Sequence, residues 1–471
     1  MLIVNKKYAA TPPVEAEKAA GRRVIVEDDD AAVCSRLVQE VENNHTDTRL
    51  ECIMLLAEQS TLRLLRTIGL STEISAKADV IATTMDELLA ITALVPIPSN
   101  NPPLPSLDRE PVAYLSDRTV HLVVLGSSQL AEALAVNTAL VAHYPNYCRD
   151  TRLRTRISVI DDDAYAMRDR MLQRYKHLFE NSYYRSINIL DTEPQRTVHR
   201  PKYEGQRHDF VDVEWEFVKG NTSCDAVRTK LAQWASSELQ QLTVAVCGAD
   251  DSSNMCEVMT LPEEVLGSSI PILCHSRPNG LLAVAGNIHL FCVDSCRIET
   301  MRKLREMAKR VNYIYTHCRS LSPDEVPTAP ANIDTAAMER EWAAKPFSAQ
   351  CSSLFSALTL GKKLHSVNIT PDDWQAYYAL SKDEIALLSE VEHNRWSVER
   401  LILGYRPTTA EETAAVDADK NKKRLLAMQK IHYDLRAFDE LKTDDTGKNA
   451  EAYDYALTQG IPLIIKTCIT D

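Results

Sequence analysis

Apolar positions along the chain follow two alternating rhythms. Residues 24–26, 50–56 and 79–83 are short, largely apolar runs, the length of buried strands. Between them, 31–42 and 60–68 carry apolar residues at helical spacing, and another helix opens at Met85. The alternation resumes further on. Runs at 121–125, 156–160, 187–190, 242–247, 270–274 and 287–293 read as strands, with helical stretches between most of them. Such alternation predicts βαβ units around a parallel sheet, an α/β class with Rossmann-like parallel-sheet domains. Helical signals then dominate at 338–344, 350–366 and 383–403.

Six prolines interrupt the pattern: Pro96, Pro98, Pro102, Pro103, Pro105 and Pro111. Their density forbids a helix interior or a central strand and marks a linker or wrapping segment. The chain then divides into a partial Rossmann-like unit (1–98), a Pro-rich linker (99–116), a Rossmann-like domain of nucleotide-binding type (117–325), a helical connector (326–382) and a C-terminal domain (383–471). Polar residues 408–421 read as an exposed loop inside the last of these.

The stretch 383–403 breaks an otherwise simple rule. Ile385, Leu388, Val391, Val398 and Ile402 recur three, four and seven apart, on one helical face. Glu392, Arg395 and Glu399 have the same spacing and, at about 100° per residue, fall inside that apolar stripe. Charges on a core-facing stripe must pair or meet a ligand, because an unpaired buried charge costs several kcal/mol. Two readings follow. Glu392, Arg395, Trp396, Tyr405 and His432 form a ligand pocket, with Arg395 on a phosphate and Trp396 stacked on a base. Alternatively, Glu392, Arg395 and Glu399 form an internal ion network that fixes helix packing.

The pattern Leu388…Glu392-His393-Asn394-Arg395-Trp396…Gly404-Tyr405, then Lys423…His432-Tyr433-Asp434-Leu435…Phe438-Asp439-Glu440-Leu441…Tyr453-Asp454, resembles the ryanodine-receptor repeat (RyR domain) found in bacterial proteins. That pattern usually has Trp at the place of Tyr405 and Pro at the place of Tyr433. The resemblance implies a small helical module, and it supplies no catalytic residue. The segment Leu65…Ile68-Gly69-Leu70…Ala78-Asp79-Val80-Ile81-Ala82-Thr83-Thr84-Met85-Asp86-Glu87 is similar to the TrkA-N type of Rossmann domain of potassium-channel regulators. Trp342…Phe347…Cys351-Ser352-Ser353-Leu354…Ala357…Lys363-Leu364 resembles the connector between such domains and RyR domains.

A dinucleotide fold brings backbone N–H groups and a helix N-terminus to a pyrophosphate, and an acid at the end of the second strand to ribose hydroxyls. Gly126, Ser127 and Ser128, with Ala131, stand at the first of these places and Asp161 at the second. Of the G-x-G-x-x-G fingerprint only Gly126 remains. The competing reading is a Rossmann-like scaffold that has lost its ligand, which is also the reading for 1–98, where Glu27 ends a strand with no glycine loop before it. Asp250 and Arg277 follow later strands at the sheet's carboxyl edge, where ligands sit in such folds. Asp250 also suits a helix cap, and Arg277 an exposed loop. The acidic triplets 28–30 and 161–163 read as solvated strand ends.

Composition narrows the function classes. A net charge of -13 over 471 residues argues against nucleic acid and anionic membrane surfaces as partners. No apolar window is long enough to insert in a membrane. Twelve cysteines, scattered and without a C-x-x-C pair, read as reduced buried thiols of a cytoplasmic protein. The motifs of zinc proteases, serine hydrolases and P-loop enzymes are missing. The expectation is a regulatory or sensor protein, open to homo-oligomer assembly, with a small nucleotide-type ligand, NAD(P) or a related nucleotide among the candidates. The alternatives are an enzyme acting on a nucleotide through Asp161, Asp250 and Arg277, and a ligand-free assembly protein.

Overall fold

A computed structural model describes residues 1–95, 104–190, 195–201, 209–277, 286–296, 298–317, 330–419, 421–443 and 451–469. The first sheet has four strands: β1 (Leu2–Asn5), β2 (Val24–Glu27), β3 (Leu50–Leu56) and β4 (Ala78–Thr84). Their order is β2-β1-β3-β4, all parallel. β1 and β4 are buried throughout and β3 over its last five residues, which explains why β3 and β4 read as apolar runs.

The second sheet holds β5 (Thr119–Leu125), β6 (Thr155–Asp161), β7 (Tyr183–Asn188), β8 (Gln195–His199), β9 (Val213–Lys219), β10 (Gln240–Val246), β11 (Ile272–His275) and β12 (Ile288–Phe291). The order is β12-β11-β10-β5-β6-β9-β7-β8, and only the β7–β8 pair is antiparallel. From β12 to β9 this is the strand order of a doubly wound dinucleotide-type sheet, with β7 and β8 added at one margin. The order reverses between β5 and β10, so the ligand crevice of such folds lies above their carboxyl ends.

Two helices weld the units together. Met85–Leu94 follows β4 and Gln129–Val141 follows β5; both are apolar nearly all round, and they pack on one another. One core cluster accordingly runs from Leu2 to Ile465, and a second fills the other face of the second sheet around Val123, Leu125 and Val244. Helix Ile298–His317 follows the second sheet in sequence. Yet it packs against helices Thr335–Ala344, Phe347–Leu358 and Glu451–Ile469, and it reaches helix Pro12–Ala19 and strand β3 of the first unit through ion pairs. Arg302 pairs with Glu17 at 2.8 Å, and Arg305 with Glu51 at 2.9 Å. The α/β units are thus followed by a helical C-terminal region.

Several elements differ from the sequence reading. β1 was not anticipated, because four residues at the chain start carry no usable period. β9 alternates Val213, Trp215 and Phe217 with Glu214 and Glu216, yet both faces are buried. Its acids are absorbed by Arg156, Arg185, Ser158 and Lys230. Within 408–421, residues Ala410–Ala418 form a helix, started by a capping box of Thr409 and Glu412. Of the proline segment, 96–103 lie outside the described residues. Beyond it Asp108 is buried and holds Lys362 at 2.7 Å and His365 at 2.9 Å, which pins the strap to the connector.

Candidate functional site

Helix Lys382–Ile402 organises the C-terminal region. Ser381 and Glu384 form a capping box at its start. Its central turns are buried on every side, with Glu392 and Glu399 at 0 % exposure and Arg395 at 1 %. These charges meet inside the helical region. Arg395 donates from Nε to Glu392 Oε1 at 3.0 Å and from Nη1 to Glu399 Oε2 at 2.6 Å. Lys363 stands 2.7 Å from the second Glu392 oxygen, Ser356 donates to Glu392, and Ser352 donates to Glu399. Burial alone would raise the Glu392 carboxyl, but Arg395 and Lys363 outweigh it and hold it at about 2. Arg400 Nη2 adds a third cation 3.7 Å from Glu399 Oε1, so the two carboxylates are fully compensated inside the protein.

An open-mouthed cavity of about 570 Å³ lies beside this network, between helix Ile298–His317, the connector and the C-terminal elements. Trp396 and His432 line it; Glu392 and Arg395 stand behind its wall. Tyr405 backs the wall. Arg400, one turn after Trp396, lies 5.5 Å from the Trp396 ring and 5.4 Å from the Tyr405 ring. Its Nη2 donates to Ser352 Oγ at 3.2 Å, while its buried Nε has no acceptor among the described residues. Lys423 stands over the Tyr433 ring and pairs with Asp434 at 2.8 Å.

The two histidines are shifted in opposite directions. His393 places Nε2 2.9 Å from the Arg436 carbonyl and Nδ1 3.3 Å from Asp454, so both nitrogens face acceptors. Burial works against the imidazolium, but Asp454 and that carbonyl outweigh it, and the His393 pKa is raised. His432 is pulled down to about 4 by burial, with Arg400 and Lys423 adding to it and Asp434 opposing it. Neutral His432 accepts from the Asp434 N–H at Nδ1, 3.2 Å away, so its proton sits on Nε2. Trp396 meets the His432 ring edge-on at 4.9 Å.

At the β5–β10 switch point, Ser127, Ser128, Asp161 and Asp250 are bonded to the protein itself. Gly126 takes φ +121°, and a Cβ there would lie 2.6 Å from the Cys247 carbonyl oxygen. Ser128 donates to that same oxygen at 2.6 Å and caps its helix at the Ala131 N–H. Ser127 donates to Asp161 Oδ1 at 3.0 Å. Asp250 caps the next helix through the Ser252 and Ser253 N–H groups, and the Arg277 N–H donates to Asp251. Asp250 and Arg277 flank β10 and β11, whereas Asp161 ends β6, two strands from β10 and therefore about 10 Å away across the sheet.

The first sheet repeats the theme. At its switch point, between β1 and β3, Asp30 accepts from the Ala57 N–H, the Glu58 N–H and Asn5. Asp29 caps its helix at the Ala32 N–H, and Asp28 pairs with Lys6 at the surface. The acidic triplet is therefore one cross-link, one cap and one exposed pair.

Sequence reasoning passed over Arg400, His393, Ser352 and Asp454. Arg400 carried a signal: it lies four residues after Trp396, one turn along the same face. Among the described residues no cluster of His, Cys, Asp and Glu has the arrangement of a metal site, and no helix is long and apolar enough to cross a membrane. Comparison with protein-family models, with curated proteins and with solved structures finds no match.

Proposed function

We propose that this protein is a regulatory ligand-binding protein whose sensor site is the cavity between the connector and the C-terminal helices. Its ligand joins a planar ring to an anionic group, as a nucleotide does. The observation that carries the reading is Arg400, laid beside Trp396 and Tyr405 with a buried N–H left over. Such a group offers a stacking surface and a charge-assisted hydrogen bond at once. Lys423 supplies a second cation, and neutral His432 can donate without adding charge. The resemblance of this region to bacterial RyR domains, and of the preceding units to TrkA-N domains, suits a module that reports a ligand to neighbouring domains.

The self-bonded state of Ser127, Ser128 and Asp161 favours the cavity over the β5–β10 crevice as the ligand's seat. The test is thermal unfolding with NAD, NADP, ADP-ribose and cyclic dinucleotides. A ligand at about a hundred times its Kd adds about 2.7 kcal/mol of stability and raises Tm. The rise should vanish in Arg400→Ala and persist in Ser128→Ala. No rise with any of these compounds, or a rise that survives Arg400→Ala, overturns the reading.

A further inference from the structure

A second cleft, of about 510 Å³, lies far along the second sheet, where β7 and β8 extend past the doubly wound core. Five arginines line it, Arg152, Arg154, Arg185, Arg196 and Arg200, against two acids, Asp209 and Glu214. In a chain of net charge -13 this is a local inversion of sign.

The strand register produces the cluster. Successive side chains of a strand alternate faces, so Arg196, Val198 and Arg200 share one face. Arg185 stands opposite Val198 on that face, and Glu216 of β9 stands beside Arg185. Nearer the sheet centre the face is roofed by helix Asp225–Ala235, whose Lys230 reaches Glu216 and whose Trp234 meets His121 edge-on. At the margin Val198 is 50 % exposed, and Arg196 and Arg200 are exposed.

The two acids are already committed. Glu214 takes Arg156 at 2.5 Å and Arg185 at 2.7 Å, while Asp209 takes Arg154 and the Tyr147 hydroxyl. Among the described residues no acid pairs with Arg196 or Arg200. Arg154, 8 % exposed and 4.3 Å from the Tyr183 ring, keeps a buried Nε without an acceptor. A buried donor left over in a cleft with surplus guanidinium groups calls for an acceptor that brings several oxygens and more than one negative charge.

We propose that this cleft is an anion site for an oligophosphate, the di- or triphosphate portion of a small molecule, separate from the cavity beside Trp396. Arg196 and Arg200 lie four residues apart, about 13 Å along the strand, so they bracket an extended phosphate chain better than a single phosphate. Arg154 supplies the buried contact, and bidentate guanidinium pairing supplies the geometry.

Titration calorimetry of the full chain with phosphate, pyrophosphate, tripolyphosphate and ATP at low salt tests this. Tripolyphosphate should bind more tightly than phosphate, and affinity should fall as salt rises. Arg196→Glu with Arg200→Glu, both at exposed positions, should weaken tripolyphosphate about tenfold or more, while Arg400→Ala leaves it unchanged. ATP is compared with tripolyphosphate in the Arg400→Ala chain, which lacks the cavity's own nucleotide contact. Equal affinity there assigns recognition to the phosphates alone, and tighter ATP that is lost in the double arginine variant adds a contact to the base; either agrees with the proposal. Absence of tripolyphosphate binding, unchanged binding in the double variant, or equal binding of an oligoglutamate overturns it.

Discussion

The crevice above β5 and β10 and the cavity beside Trp396 are both lined with polar groups, and the difference lies in where their hydrogen bonds go. In the crevice Ser128 spends its hydroxyl on the Cys247 carbonyl and Ser127 bonds Asp161. Around the cavity Arg400 retains an N–H without an acceptor among the described residues, and His432 presents a neutral ring. A site inherited with a fold can be closed by its own side chains, whereas a surplus of donors marks a place where something from outside completes the bonding. Position in the topology alone therefore misdirects a search for the ligand.

Four experiments break or sharpen this contrast. The largest effect belongs to the ion network. Arg395→Ala removes the guanidinium that bonds both buried carboxylates, Glu392 and Glu399, and should lower stability by about 3–5 kcal/mol in urea unfolding. A loss under 1 kcal/mol would show that water reaches the network. Next comes Arg400→Ala, which removes one charge-assisted bond and a stacking surface. It should reduce affinity for a bound nucleotide-type ligand about tenfold or more, with a smaller loss of stability than Arg395→Ala because its contact with Glu399 is the longer one at 3.7 Å.

Ser128→Ala deletes a helix cap and a bond to Cys247, so a loss of about 1 kcal/mol is expected, with ligand affinity unchanged. Altered affinity would return the crevice to contention. The smallest effect concerns His393. Its folded pKa lies above the unfolded value of about 6.5, so its contribution is complete below that pH and is lost as pH rises through the folded value. His393→Gln should flatten the fall in stability as pH rises above about 6.5; an unchanged pH profile would mean another group titrates there.

Much of the fold was legible. The runs at β3, β4, β5, β6, β10 and β11 are buried strands of parallel sheets, and continuous apolar segments are what such strands require. β9 carries the period-2 alternation of a strand and was passed over, and only its tertiary partners reveal that the glutamate face is buried as well. The Glu392–Arg395–Glu399 stripe was visible from spacing, and so was the alternative that it pairs with itself. Lys363, its fourth member, comes from a different helix, so no local pattern could supply it. The cavity was legible only in part, since Trp396 and His432 stand out in sequence, whereas Asn312, Ser352 and Asp454 arrive from remote segments.

Helix Ile298–His317 offers one more lesson. Its far end contributes Asn312 and Tyr315 to the cavity wall, and its near end is bolted to the first α/β unit by Arg302 and Arg305. Twenty residues make a rod about 30 Å long. A helix resists bending within so few turns, so a displacement at the Tyr315 end travels as a lever arm to the Glu17 and Glu51 anchors. Amide exchange along 298–317 therefore reads both ends of the rod in one measurement.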